Sequence, residues 1–156
     1  MFESYTENAR DVMSRARQEA QKFGHDHIGT EHILLGLIEV KTGIAADILS
    51  HRAVDLRHAK TQVEKLVKHG SGCEEMSYGT LPQTKHAQHV LTDAVKEARA
   101  LKHDHIGTEH LLLGLLYEKD CIATEVLTNL GLKLDDIRRD VLHFVQRDKN
   151  SALLED

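Results

Sequence analysis

Apolar residues recur along the first part of this chain at helical rather than strand spacing. Ala9, Val12, Met13, Ala16, Ala20 and Phe23 fall three, four and seven positions apart, with charged residues between them. This predicts an amphipathic helix that starts at Thr6, a good N-cap followed by Glu7, and ends at Gly24. A second helix is predicted from Thr30. Its Ile33, Leu34, Leu35, Leu37 and Ile38 cover most of the circumference, so it should be buried at the centre of its unit. Gly43 breaks the chain before a short helix near Ile44–Ser50. A fourth helix should run from about Asp55 to Lys68, with Leu56, Ala59, Val63, Leu66 and Val67 turned inward.

The pattern then repeats. Shifted by 78 positions, residues 9–67 align with 87–145 without a gap, and 24 of the 59 pairs are identical. Ala9, Val12, Ala16 and Ala20 fall on Ala87, Val90, Ala94 and Ala98, and Leu34-Leu35-Gly36-Leu37 falls on Leu112-Leu113-Gly114-Leu115. The octapeptide HDHIGTEH stands unchanged at His25–His32 and at His103–His110. An internal duplication of this kind governs the fold. The expected architecture is all-α, with two tandem four-helix repeats packed in pseudo-two-fold fashion. The first covers residues 1–68 and the second 84–146, with helices from Thr84, Thr108, Cys121 and Lys133. A Gly-, Ser- and Pro-containing linker is placed at 69–83 and a polar, disordered tail at 147–156.

Composition narrows the function. The chain has 156 residues, a formal net charge of -5, 4% aromatics, one Pro and no Trp. The negative charge argues against a nucleic-acid partner bound by phosphate attraction. No run reaches the length of a membrane span, and MFESYTENAR lacks the layout of a secretory signal. Cys73 and Cys121 have no framework spacing, which suggests a reducing, cytoplasmic setting.

The repeated octapeptide is the natural place to look for chemistry. Gly29-Thr30 reads as a turn and N-cap, with Glu31 in the first turn where the macrodipole favours an anion. Histidines there would cap, hydrogen-bond or pack. A metal set is not assigned, because Glu31 and His32 are helix neighbours whose side chains should diverge. No catalytic set is assigned either: there is no G-x-S-x-G, no P-loop, and neither thiol is duplicated. No cofactor and no enzymatic activity are expected. A helix start does offer free N–H groups to an anion, and a carboxylate on the same turn can pair with a guanidinium. Thr30-Glu31 and Thr108-Glu109 suit a ligand that carries both groups, such as phosphoarginine.

Long strings now support a family resemblance. MFE-x-x-T-x-x-A-R opens the chain, GH-x-x-IGTEHILLGLI covers Gly24–Ile38, GIAA covers Gly43–Ala46, and the second copy adds IGTEHLLLGLL at Ile106–Leu116 and VLTNLGL at Val126–Leu132. Over about residues 1–145 the chain resembles the double Clp-repeat N-terminal domain of the Clp/Hsp100 unfoldases, especially the ClpC type. The resemblance implies docking of adaptor proteins and tagged substrates, which are handed to an AAA+ Clp ATPase ring present in cis or in trans. It further implies phosphoarginine-type sites at Thr30 and Glu31 and at Thr108 and Glu109, with Phe2 and Arg10 in an adaptor groove. An alternative is a regulator or scaffold that docks on a Clp ring without reading phosphoarginine. The chain departs from the family pattern at Thr84-Lys85-His86-Ala87, at Lys102 opposite Gly24, and at His51-Arg52-Ala53.

Overall fold

The computed structural model describes residues 5–67 and 82–154, with side chains up to residue 146. Eight helices occur among them: α1 Glu7–Lys22, α2 Thr30–Glu39, α3 Ile44–His51, α4 Leu56–Leu66, α5 Lys85–Ala100, α6 Thr108–Tyr117, α7 Ile122–Asn129 and α8 Leu134–Leu154. The fold is all-α, and no strand occurs among the described residues. Thr6 and Thr84 cap α1 and α5, accepting the amides of Ala9 and Ala87 at 3.1 Å each. The last helix passes residue 146 and continues to Leu154, so the stretch expected as a tail is helical up to that point. Most of the expected linker, 69–81, lies outside the described residues.

The central helices α2 and α6 are buried almost end to end, as their all-round apolar character requires. Each crosses the preceding helix at its glycine with backbones nearly touching. A Cβ on Gly36 would lie 2.5 Å from the Val12 carbonyl oxygen, and one on Gly114 would lie 2.5 Å from that of Val90. The duplicated Leu-Leu-Gly-Leu is therefore a packing motif in which glycine permits the close approach. An ion pair between helices is also duplicated, with only Glu19 of its four partners fully buried. Glu19 meets Lys60 at 3.2 Å between α1 and α4, and Glu97 meets Arg138 at 2.9 Å between α5 and α8.

Four helices end in the same way. The residue after the C-cap takes a positive φ: Gly24 (72°) and Lys102 (61°) after α1 and α5, Ala53 (59°) and Gly131 (89°) after α3 and α7. The next amide reaches back to the last turn, as in His25 N–H to Ala20 O (2.9 Å) and Val54 N–H to Leu49 O (2.9 Å), a Schellman closure. Lys102 and Ala53, two of the departures from the family pattern, keep the backbone of their glycine counterparts and bear the strain of a Cβ in the left-handed region.

The repeats share one core, which joins Ala9, Leu34 and Ile48 to Val90, Leu112 and Ile137. They also exchange backbone contacts. Tyr5, just before α1, bridges to Ile106, while Gln83, just before α5, bridges to Ile28. Each octapeptide thus receives the entry segment of the other repeat. Arg52 adds an ion pair to Asp140 on α8 at 2.7 Å.

Two predictions follow from these close approaches and turns. Gly36→Ala should destabilise by about 1–3 kcal/mol, since the clash is with backbone and cannot be relieved by a rotamer change. Ala53→Gly should stabilise by about 0.5–1 kcal/mol, because relief of left-handed strain outweighs the added chain entropy. Urea midpoints at constant m-value check both.

Candidate recognition site

The octapeptide folds into a joint between two helices. His25 follows the Schellman turn of α1, and Gly29 is the N-cap of α2. The expectation that Thr30 and Thr108 are the caps of α2 and α6 is corrected here: each is the first helical residue, and Gly29 and Gly107 precede them. His32 stands at the third helical position, where a capping box usually has Glu or Gln. Its Nδ1 accepts the Gly29 N–H at 2.8 Å. That leaves the proton on Nε2, which donates to His25 Nδ1 at 2.8 Å. The second copy is the same, with Gly107 N–H to His110 Nδ1 at 2.8 Å and His110 to His103 at 2.8 Å. Phe23 stacks on His25 with ring centroids 5.5 Å apart. These histidines fasten the end of one helix to the start of the next.

The cap requires His32 and His110 to be neutral, and their burial favours that form. Burial, reinforced by His25 and His27, pushes the His32 imidazole down to about 3. Burial, with His103 beside it, pushes His110 down to about 4.

The threonines serve a different purpose from the one expected. The Thr30 hydroxyl accepts the amide of Ala123 in α7 at 3.3 Å, and the Thr108 hydroxyl accepts the amide of Ala45 in α3 at 3.2 Å. Each threonine therefore caps a helix of the opposite repeat, and both are 3% exposed.

Glu31 and Glu109 turn back over their N-cap glycines. A Cβ on Gly29 or Gly107 would lie 2.3 Å from the carboxylate, so glycine makes room for this posture. The fold-back overturns the expectation that Glu31 and His32 diverge: His25, Glu31 and His32 place ligand-type atoms within 4.8 Å of one another, as do His103, Glu109 and His110. In both groups the second histidine has its two ring nitrogens engaged by the relay, so a metal would have to break the cap. Glu31 is 6% exposed, whereas Glu109 is half-buried and borders an open cleft of about 370 Å³. Thr6, Ile44, Lys102, His103, His105 and Val145 also border that cleft. The sequence reading named Lys102 only as a departure from the family pattern and assigned it no place in the site, although it immediately precedes the second octapeptide. Arg10 is exposed on α1 and is not among the cleft residues, and Phe2 lies outside the described residues.

The architecture defines a class of protein: a paired helical repeat whose duplicated joints open the central helices. The chain belongs to the family of the Clp repeat (R) N-terminal domain, which matches over residues 4–130 and again over 82–152. It is 46% identical over 145 residues to the chloroplastic chaperone protein ClpC1 of Arabidopsis thaliana, covering 93% of this chain and 15% of that protein. It is equally similar to the ATP-dependent Clp protease ATP-binding subunit ClpA homolog of Guillardia theta, covering 93% of this chain and 17% of the relative. The chain thus spans about one sixth of the length of these curated relatives. Among solved structures, the N-terminal domain of the caseinolytic protease associated chaperone ClpD from Arabidopsis thaliana superimposes with a TM-score of 0.72 at 22% identity, covering 94% of this chain and 97% of that one. Among the described residues no helix is long and apolar enough to cross a membrane.

The relay has a testable pH signature. Above about pH 6.5 both states keep His32 and His110 neutral. Below it the unfolded chain takes up protons that the folded chain refuses, so stability falls until the pH reaches the folded values of about 4 and 3. Two such groups correspond to roughly 2.7 kcal/mol per pH unit at full slope. In the double variant His32→Gln with His110→Gln, the glutamine oxygen should still accept the cap amide. The loss of stability between pH 6.5 and 4.5, followed by urea titration, should be clearly shallower than in the parent.

Proposed function

We propose that the chain is an adaptor- and substrate-docking module for a Clp-type AAA+ ATPase ring, in cis or in trans, and that it reads phosphoarginine. The observation that carries this reading is the carboxylate at the second position of each central helix, folded over a glycine at the helix start. Such a carboxylate pairs with a guanidinium, while the positive end of the helix dipole favours the attached phosphate. In the second repeat Glu109 borders the cleft, and Lys102 on the same rim supplies a cation for the phosphate. With the Thr30 and Thr108 hydroxyls engaged in capping, phosphate recognition falls to main-chain amides and to this rim. Arg10 and Phe2 remain the proposed adaptor contacts.

One observation favours the second reading, a regulator or scaffold that docks on a Clp ring without phosphoarginine. Glu31 is nearly buried and Thr30 is committed to Ala123, which leaves little of the first joint exposed.

Calorimetric titration with free phosphoarginine, with arginine and phosphate as controls, tests the choice. The proposal expects saturable binding that Glu109→Ala weakens at least tenfold and that Glu31→Ala with Glu109→Ala abolishes, with melting nearly unchanged. Affinity unchanged in the double variant would remove the assigned sites. No binding by the parent chain, together with stable association with a Clp hexamer, would establish the scaffold reading.

A further inference from the structure

The second repeat carries a side-chain cluster that the first lacks. His86 and His89 stand one turn apart on α5, and Glu118 is the C-cap of α6. His86 Nδ1 lies 2.8 Å and His89 Nδ1 3.4 Å from the same oxygen, Glu118 Oε1. The two rings stand perpendicular with centroids 6.4 Å apart. Both histidines are exposed, while Glu118 is half-buried and its backbone is held. Its amide donates to Gly114 O at 3.1 Å, and its carbonyl accepts from the Cys121 thiol at 3.7 Å and lies against the Thr124 hydroxyl. Asp93, one turn beyond His89, adds negative charge close to Glu118 and His89.

We propose that His86, His89 and Glu118 form a binding site for a divalent transition-metal ion of the zinc class. Two imidazole nitrogens and one carboxylate oxygen are a zinc-type donor set, and all three atoms lie within 4.8 Å of one another. Bonds of about 2.0–2.2 Å at tetrahedral angles require donor atoms roughly 3.3–3.5 Å apart, so the arrangement needs little movement to close on an ion. Neither histidine belongs to a capping relay, unlike His32 and His110, so binding breaks no structural hydrogen bond beyond the contacts to Glu118 itself. The first repeat has Asn8, Asp11 and Val40 at the aligned positions, and there Asn8 accepts from Thr42 instead, at 2.8 Å. With three protein donors the shell keeps one position for water or for a donor from a docked protein. The ion would clip the start of α5 to the end of α6.

The test uses untagged, chelator-stripped protein. Titration with Co²⁺ should produce the visible absorption of a low-coordinate ion, saturating near one equivalent and displaced by Zn²⁺. His86→Ala with His89→Ala should weaken Zn²⁺ binding at least tenfold in calorimetry, as should Glu118→Gln, while circular dichroism stays unchanged because both histidines are exposed. Zn²⁺ should raise the melting temperature of the parent and not of these variants. The absence of saturable binding by the parent chain would overturn the site. So would binding that survives the double substitution but is lost with His25→Ala and His103→Ala.

Discussion

The structure depends on an exchange of helix caps between its halves. A short helix such as α3 or α7 starts with amides that have no partner in their own helix. Here those amides find the hydroxyl of a threonine at the start of the other repeat's central helix, Thr108 for Ala45 and Thr30 for Ala123. All these groups are buried, so an unpaired amide would cost about 1–3 kcal/mol. The exchange ties the beginning of α2 to α7 and the beginning of α6 to α3. It therefore fixes where the octapeptide joints sit and explains why a single repeat would leave both an apolar face and two polar groups unsatisfied. The bridges Tyr5–Ile106 and Gln83–Ile28 follow the same two-fold logic.

Within each joint the histidine relay holds the backbone that the exchange requires. His32 and His110 occupy a position where a charged carboxylate would normally close the capping box. An uncharged ring can be buried there at much lower cost than a carboxylate, and its second nitrogen continues the chain of bonds to the preceding helix. Glu31 and Glu109 then lie over the cap glycines at the helix start, the first nearly buried and the second half-exposed. The histidines of the octapeptide thus carry the structural hydrogen bonds of the joint, while the neighbouring glutamate lies over the cap glycine.

Much of this was legible in the sequence. The 3.6-residue period, the duplication and the all-round apolar segments specified the helices and identified α2 and α6 as central. What was not legible depends on tertiary placement. Thr30 resembles an N-cap because threonine is favoured there, yet its hydroxyl is drawn to a helix of the other repeat, and a glycine suffices as the local cap. Glu31 and His32 do point apart along an ideal helix, but at the first turn a side chain can fold back over a glycine that has no Cβ to resist it. The end of α8 was missed because QRDKNSALLED is polar and lacks an inward stripe. The cluster of His86 and His89 with Glu118 spans two helices, so only the i, i+3 pair was visible in advance.

The differences between the copies carry information that their identity does not. Where Glu19 and Lys60 meet in the first repeat, Glu39 lies close by, and burial together with Glu19 raises its pKa. The aligned residue in the second repeat is Tyr117, whose ring receives Arg138 at 5.9 Å. Gly24 at the rim of the first joint becomes Lys102 at the rim of the second, and the second carboxylate is the more exposed of the two. Asn8 and Asp11 become His86 and His89. These substitutions leave the core and the caps intact because they fall on exposed or half-buried positions outside the core. They also fall together on the second repeat's joint and on the helix beside it, adding a cation to one and imidazoles to the other. The duplication supplies a symmetric scaffold, and surface chemistry breaks the symmetry. The two joints are therefore unequal: the first is closed over a nearly buried carboxylate, and the second sets a half-buried carboxylate and a lysine on an open cleft.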